Sequence, residues 1–311
     1  MSRSRSHWGT GGRGLCLAMW SSPPRGKHVE AYRMSDPRQP RIYICNPLVK
    51  DEGRTDDARM KRPATFEIPV DDPNTARLAA AHADRLEVCR DLEAEGLTPS
   101  PAFLAEIVAA SRADGHRPDI AVVFQELPPP QDRRAVTPAD FAARPEDLAR
   151  LESLTASFAA AGADSIVLGF VDDSGCPDVE AVSKAVAIAG RHGMKIAFHR
   201  AFDLAEDPAR GVERLIELGV DRTLAAGSSG YDASLTSIDD RVARLAIACE
   251  AIGNHDFAIV PCGGVRSANA DRFAAATPHV HASCRRRPSA FELGGFDEDE
   301  AAALRRRVHP G

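Results

Sequence analysis

Eight polar side chains fall on short apolar runs whose neighbours should be buried: Glu67, Arg85, Glu87, Cys89, Lys195, His199, His281 and Ser283. Side chains alternate between the two faces of a strand. If Phe66, Ile68 and Val70 take one face, Glu67 takes the other. By the same rule Leu86 and Val88 set aside Arg85, Glu87 and Cys89. Ile196 and Phe198 leave Lys195, Ala197 and His199, while Val280 and Ala282 leave His281 and Ser283. Gly169 shares the polar face of its run and leaves room above it. Several charges on one inner face are costly unless they pair or line a solvated pocket. Glu87 and His199 are residue types for general acid–base work, with Arg200 and Asp203 on the loop just beyond. Glu67, His281, Ser283 and the Gly263-Gly264 turn are ligand-binding candidates, the two glycines read either as a main-chain cradle for phosphate or as a plain tight turn. Cys89 and Cys262 are candidate metal ligands. The bland alternative is an ion-pair network in which Glu67 and Glu87 satisfy Arg85 and Lys195.

Composition narrows the partners. Seven cysteines (Cys16, Cys45, Cys89, Cys176, Cys249, Cys262 and Cys284) are scattered, odd in number and free of any CxxC pair. That is no disulfide framework and suits a reducing cytoplasm, so metal ligands would have to be gathered by the fold. A net charge of -6 over 311 residues disfavours nucleic acid or an anionic membrane as main partner. No apolar run approaches the roughly 20 residues of a membrane span. A small molecule or a metal ion remains, and a homo-oligomer is compatible with either.

The elements that must position these side chains begin at Ala64. Before it, residues 1–63 are rich in Ser, Arg, Gly and Pro and are expected to form a disordered extension, apart from a short strand over Arg41–Cys45. From 64 to 311 short apolar runs alternate with Ala-rich stretches of helical period. The expected strands are Ala64–Val70, Arg85–Cys89, Asp119–Gln125, Ser165–Phe170, Lys195–Arg200, Arg222–Gly227, Phe257–Pro261 and His279–Cys284. Helical segments lie between them, and a last helix over Asp297–Val308 opens acidic and closes on Arg305-Arg-Arg307, which suits its dipole. Eight strands alternating with helices predict a single α/β domain, a (β/α)8 TIM-type barrel. Ala83-Asp84-Arg85, Ala163-Asp164-Ser165 and Val220-Asp221-Arg222 echo one another at strand entries, as recurring βα units would. A doubly wound sheet is the runner-up, but no GxGxxG turn follows the first strand. In a barrel, sites sit at the C-terminal mouth, where Cys89, His199 and Ser283 would end their strands.

Three segments carry a resemblance. They are Ala83-Asp-Arg-Leu-Glu-Val-Cys89 followed by Glu95-Gly-Leu-Thr-Pro-Ser100, Phe198-His-Arg-Ala-Phe-Asp203, and Gly263-Gly-Val265 followed by Val280-His-Ala-Ser283. The turn Gly169-Phe-Val-Asp-Asp-Ser-Gly-Cys-Pro-Asp178 adds a fourth. Together they resemble the CutC copper-homeostasis family over roughly Ala64 to Cys284. The resemblance implies a TIM-type barrel, a cytoplasmic location and a role in copper homeostasis with Cu(I) as bound ion. Cu(I) is soft and prefers thiolates, which directs attention to Cys89 and Cys262.

The chain also departs from that pattern. Where the family carries Arg-Pro-Arg after the third strand, it reads Phe124-Gln-Glu-Leu-Pro-Pro-Pro130. A cationic clamp is thereby expected to become apolar and acidic, and Arg's planar fork for an anion is lost. Ala226-Gly-Ser-Ser-Gly230 is a further departure, from a tighter Gly-Gly turn. Three functions stay open: a copper homeostasis protein binding Cu(I), a barrel enzyme acting on a small polar or phosphorylated metabolite through Glu87 and His199, or a partner-binding barrel whose mouth is plugged by Pro128-Pro-Pro130.

Overall fold

The computed structural model describes residues 62–130, 135–286 and 294–310. Residues 1–61 of the extension expected over 1–63, and the strand expected over 41–45, lie outside the described residues. Eight parallel strands follow in the sequence β1 (Phe66–Val70), β2 (Arg85–Val88), β3 (Asp119–Val123), β4 (Ser165–Leu168), β5 (Lys195–Phe198), β6 (Arg222–Ala225), β7 (Ala258–Pro261) and β8 (Val280–His281). They pair in the order β7-β6-β5-β4-β3-β2-β1-β8, a nearly closed barrel. Across the β7–β8 seam the Thr277 hydroxyl donates to the Ile259 carbonyl at 2.8 Å. The helices are α1 (Pro73–Ala79), α2 (Pro101–Arg112), α3 (Pro145–Ala161), α4 (Val179–Gly190), α5 (Pro208–Glu217), α6 (Ile238–Ala251), α7 (Ala270–Phe273) and α8 (Glu298–Val308). The (β/α)8 expectation is met.

Local chemistry explains the boundaries. Proline opens α1, α2, α3 and α5, where its missing N–H costs nothing. Asp72, Ser100, Asp178, Asp207, Ser237 and Asp297 accept N–H groups of the first turns they precede. Helix α1 has only seven residues, too few to announce itself by period. The strands are shorter than expected, mostly at their C-terminal ends. There the chain leaves the ladder, so Cys89, Gly169, His199, Arg200 and Ser283 begin the loops of the mouth.

The alternation of faces holds. Phe66, Ile68, Val70, Leu86, Val88, Ile196, Phe198, Val280 and Ala282 belong to the core between strands and helices. Burial of each large apolar side chain there contributes about 1.5–3 kcal/mol. A second, smaller core fills the barrel, with Ala121, Val123, Val167, Ala197, Leu224 and Val260. Lys195 is the exception. As the first residue of β5 it reaches out of the lower rim, and it pairs with Asp221 at 3.0 Å instead of meeting Glu87.

The sequence echo proves to be a stitch at that rim. Asp84, just before β2, accepts the Phe66 N–H of β1 at 2.8 Å. Asp164, just before β4, accepts the Ile120 N–H of β3 at 2.8 Å. Asp221, before β6, holds Lys195 of β5 and Arg62. Each carboxylate ties the entry of one strand to its predecessor.

Candidate functional site

A pocket of about 470 Å³ opens at the C-terminal ends of the strands, with Glu87, His199, Arg200, Cys262, Gly263 and His281 in its wall. Pro128, Pro129 and Pro130 border neighbouring clefts and do not line it, so they do not plug the mouth.

Strand register builds a buried polar layer inside the barrel, whose Glu67 does not itself line the pocket. Glu67 lies opposite His281 on one side and Arg85 on the other. Its carboxylate accepts from the His281 ring at 2.7 Å through Nδ1 and pairs with Arg85 Nε at 2.6 Å, with Arg222 Nη1 at 4.0 Å across the barrel. Burial alone would raise the Glu67 carboxyl, yet the His281 hydrogen bond and the two guanidinium groups hold it down to about 2. Arg85 also donates to Ser165 at 2.7 Å.

Glu87, two residues along β2, is 8 % exposed. Its Oε2 lies 3.9 Å from His281 Nε2, and among the described residues it accepts no hydrogen bond. Burial pushes its carboxyl up to about 7, with the nearby Glu67 charge adding to the push and His281 and Arg85 opposing it. His281 is raised as well. Burial would lower it, but Glu87 and Glu67 together raise it. Glu67, His281 and Glu87 thus form a line in which the inner carboxylate orients the imidazole and the outer carboxyl sits poised near neutrality in the pocket wall.

His199 is placed differently. Its ring fills the space that Gly169 leaves, since a Cβ there would come within 2.0 Å of His199 Cε1. Phe141 packs against the ring at 5.2 Å between centroids. The Ala201 N–H donates to Nδ1 at 3.1 Å, which leaves the proton on Nε2. Burial pushes its pKa down to about 3, so the ring is neutral at physiological pH. Arg200 lies over Tyr231 at 4.3 Å and pairs with Glu95 at 3.2 Å. Asp203 is buried under the β6 loop, accepting the Ala226 N–H at 2.8 Å and the Gly227 N–H at 2.9 Å, while burial raises its carboxyl to about 6. It braces the loop and does not line the pocket.

The cysteines separate. Cys262 lies in the pocket wall, whereas Cys89 is buried beneath it with Sγ 3.8 Å from the Val70 carbonyl. Burial raises both thiols well above the ordinary range. Among the described residues the trio whose ligand atoms converge within 4.8 Å is Glu67, Glu87 and His281. Two carboxylates and an imidazole do not suit Cu(I), and no thiol joins them. Phe124 turns into the outer core against Phe170, and Glu126 pairs with Arg150 at 3.8 Å, so neither stands in the main pocket. Arg222, Tyr231 and Arg241 were not anticipated. Arg222 shares its strand face with Leu224, and only the fold shows that this face points into the barrel. Arg241 signals itself only as a lone charge on the buried face of α6, where it donates to the Ala226 and Cys262 carbonyls, each at 2.7 Å.

The CutC family model matches residues 64–286. The chain belongs to the CutC family. A CutC family protein of Sinorhizobium medicae is 31% identical over 78% of this chain and 90% of its own length. One from Citrobacter koseri is 32% identical over 65% of this chain and 71% of its own. A solved CutC structure from Streptococcus agalactiae, whose protein is assigned to copper homeostasis, superposes with a TM-score of 0.57 at 21% identity, covering 71% of this chain and 98% of that one. At that identity it speaks for the fold. No helix among the described residues is long and apolar enough to cross a membrane.

Proposed function

We propose that the mouth of this CutC barrel binds a small polar metabolite and moves a proton on it. The observation that carries this reading is the Glu87 and His281 pair in the pocket wall, with Glu67 buried behind His281. A carboxyl near 7 without a hydrogen-bond partner among the described residues is suited to exchange a proton at neutral pH. His281, oriented through Nδ1 by Glu67, is the natural partner in that exchange. His199 enters as a fixed donor through Nε2–H and not as the acid–base group, because its ring stays neutral. A thermal-shift screen of polar metabolites against wild type, Glu87→Gln and His281→Ala tests it. Expected are ligands that stabilise wild type with a pH dependence centred near 7 and lose that dependence in Glu87→Gln. Ligands that bind Glu87→Gln as they bind wild type at every pH would remove Glu87 from the chemistry.

Family membership favours a second reading, a role in copper homeostasis with Cu(I) held by Cys262, with or without Cys89. The described cysteines are free thiols, which supports a reducing, cytoplasmic setting. Both candidate thiols are held protonated by burial, so Cu(I) must displace a proton and its affinity should rise with pH. Anaerobic Cu(I) titration against a competing chelator distinguishes the two readings. Equal affinity in wild type, Cys262→Ala and Cys89→Ala would eliminate the thiol site.

A further inference from the structure

Beyond His281 in the same pocket lining, the β7 and β8 loops leave donors unused. Gly263, Val265 and Ser283 all line the pocket. Among the described residues their main-chain N–H groups donate to no protein acceptor, and the Ser283 hydroxyl has no partner. Elsewhere the loops are well bonded: Asp203 takes the N–H groups of Ala226 and Gly227, and Asn269 takes that of Arg266. Unbonded donors on residues that line a pocket are available to an acceptor with several lone pairs. The turn is built for close approach. Gly263 and Gly264 have φ of +70 and +87, and a Cβ at Gly263 would press Ala226 Cβ at 3.1 Å. The Arg266 guanidinium adds positive charge to the same wall while donating to the Arg285 carbonyl. Glu93 and Glu95 also line the pocket, but Glu95 is neutralised by Arg200.

We propose that the Gly263–Val265 turn, with Ser283 and Arg266, is an anion subsite for the phosphoryl group of a small phosphomonoester, whose remaining part lies against Glu87 and His281. This rests on the metabolite reading above and names its substrate class. The arginine clamp absent from the β3 loop is not needed, because the donors are main-chain N–H groups that cannot be substituted away.

The probes are inorganic phosphate and glycerol 3-phosphate, followed by amide chemical shifts of Gly263, Val265 and Ser283. Saturable shifts at these amides are expected with both, and tighter binding with glycerol 3-phosphate. No shift at millimolar phosphate overturns the subsite. Equal affinity for the two probes overturns the ester assignment in favour of free phosphate. Gly264 has open space around it, and Asn and Asp tolerate positive φ best among the larger residues. Gly264→Asn and Gly264→Asp therefore carry the same backbone cost and differ in charge. The Asp variant should bind phosphate about tenfold more weakly than the Asn variant, and equal binding would contradict an anion at this turn. The Glu87 carboxyl, titrated by carbon NMR in the same samples, keeps the readings apart. Shifting amides with an ordinary Glu87 titration sink the acid–base reading alone, and silent amides with Glu87 near 7 sink the subsite alone.

Discussion

At the residue scale, two carboxylates on neighbouring strands have been driven in opposite directions. Glu67 has two guanidinium groups and an imidazole to stabilise its charge; Glu87 has burial and a like charge to oppose it. The sign for stability follows. Glu87's folded value of about 7 lies above its ordinary 4.5, so its contribution is complete below 4.5 and is lost as pH rises through 7. Glu87→Gln should remove this loss, which is on the order of 3 kcal/mol. Urea unfolding across that pH range should find wild type falling relative to the variant. Parallel curves would show that Glu87 is ionised at little cost. Glu67→Gln should act in the opposite sense. It strands Arg85 and Arg222 in the barrel and should cost about 3–5 kcal/mol at neutral pH.

At the scale of elements, the loops after the strands hold the site and are themselves held by buried braces. The β4 loop gives up a side chain at Gly169 so that the β5 loop can seat His199. Gly169→Ala should expel the imidazole from its slot. A cost of about 1–3 kcal/mol is expected from overpacking, together with a rise of the His199 pKa from about 3 toward its ordinary value, readable by proton NMR. A variant that keeps the low pKa would mean that the ring has not moved. Asp203 braces the β6 loop in the same manner, through N–H groups that no other described residue satisfies. Asp203→Ala should lower the melting temperature and broaden the amide resonances of Ala226 and Gly227; sharp, unshifted resonances would argue against the brace.

At the scale of the whole molecule, the barrel extends past the stretch that the family model matches, which ends at 286. Helix α8 buries Ala301, Leu304 and Val308 in the outer core. Arg305 and His309 both reach Asp84, the carboxylate that also holds the entry of β1. Removing residues 297–311 should therefore loosen β1 as well as uncover apolar surface. The loss of Leu304 alone is worth about 2–5 kcal/mol by analogy with truncation of buried leucines. A truncated chain melting within a degree or so of the full chain would show α8 to be dispensable.

Strand number, face assignment and the family were legible in the chain itself. Alternation over five to seven residues is a local property, and the motifs Phe198–Asp203 and Ala83–Cys89 are contiguous. The polar set Glu67, Glu87 and His281 was visible as inward-facing for the same reason. What the chain alone left open was who meets whom. Lys195 and Glu87 looked like partners, but a side chain at the first residue of a strand can leave the barrel, and Lys195 does. His199 looked like an acid–base group, and only packing against Gly169 and Phe141 reveals a ring kept neutral by burial. Glu67 joins His281 to Arg85 because β8 and β2 flank β1 in register, a pairing between residues more than 200 positions apart. Local sequence determines which way a side chain points. Partner and ionisation are decided by register and burial, and those exist only once the barrel has formed.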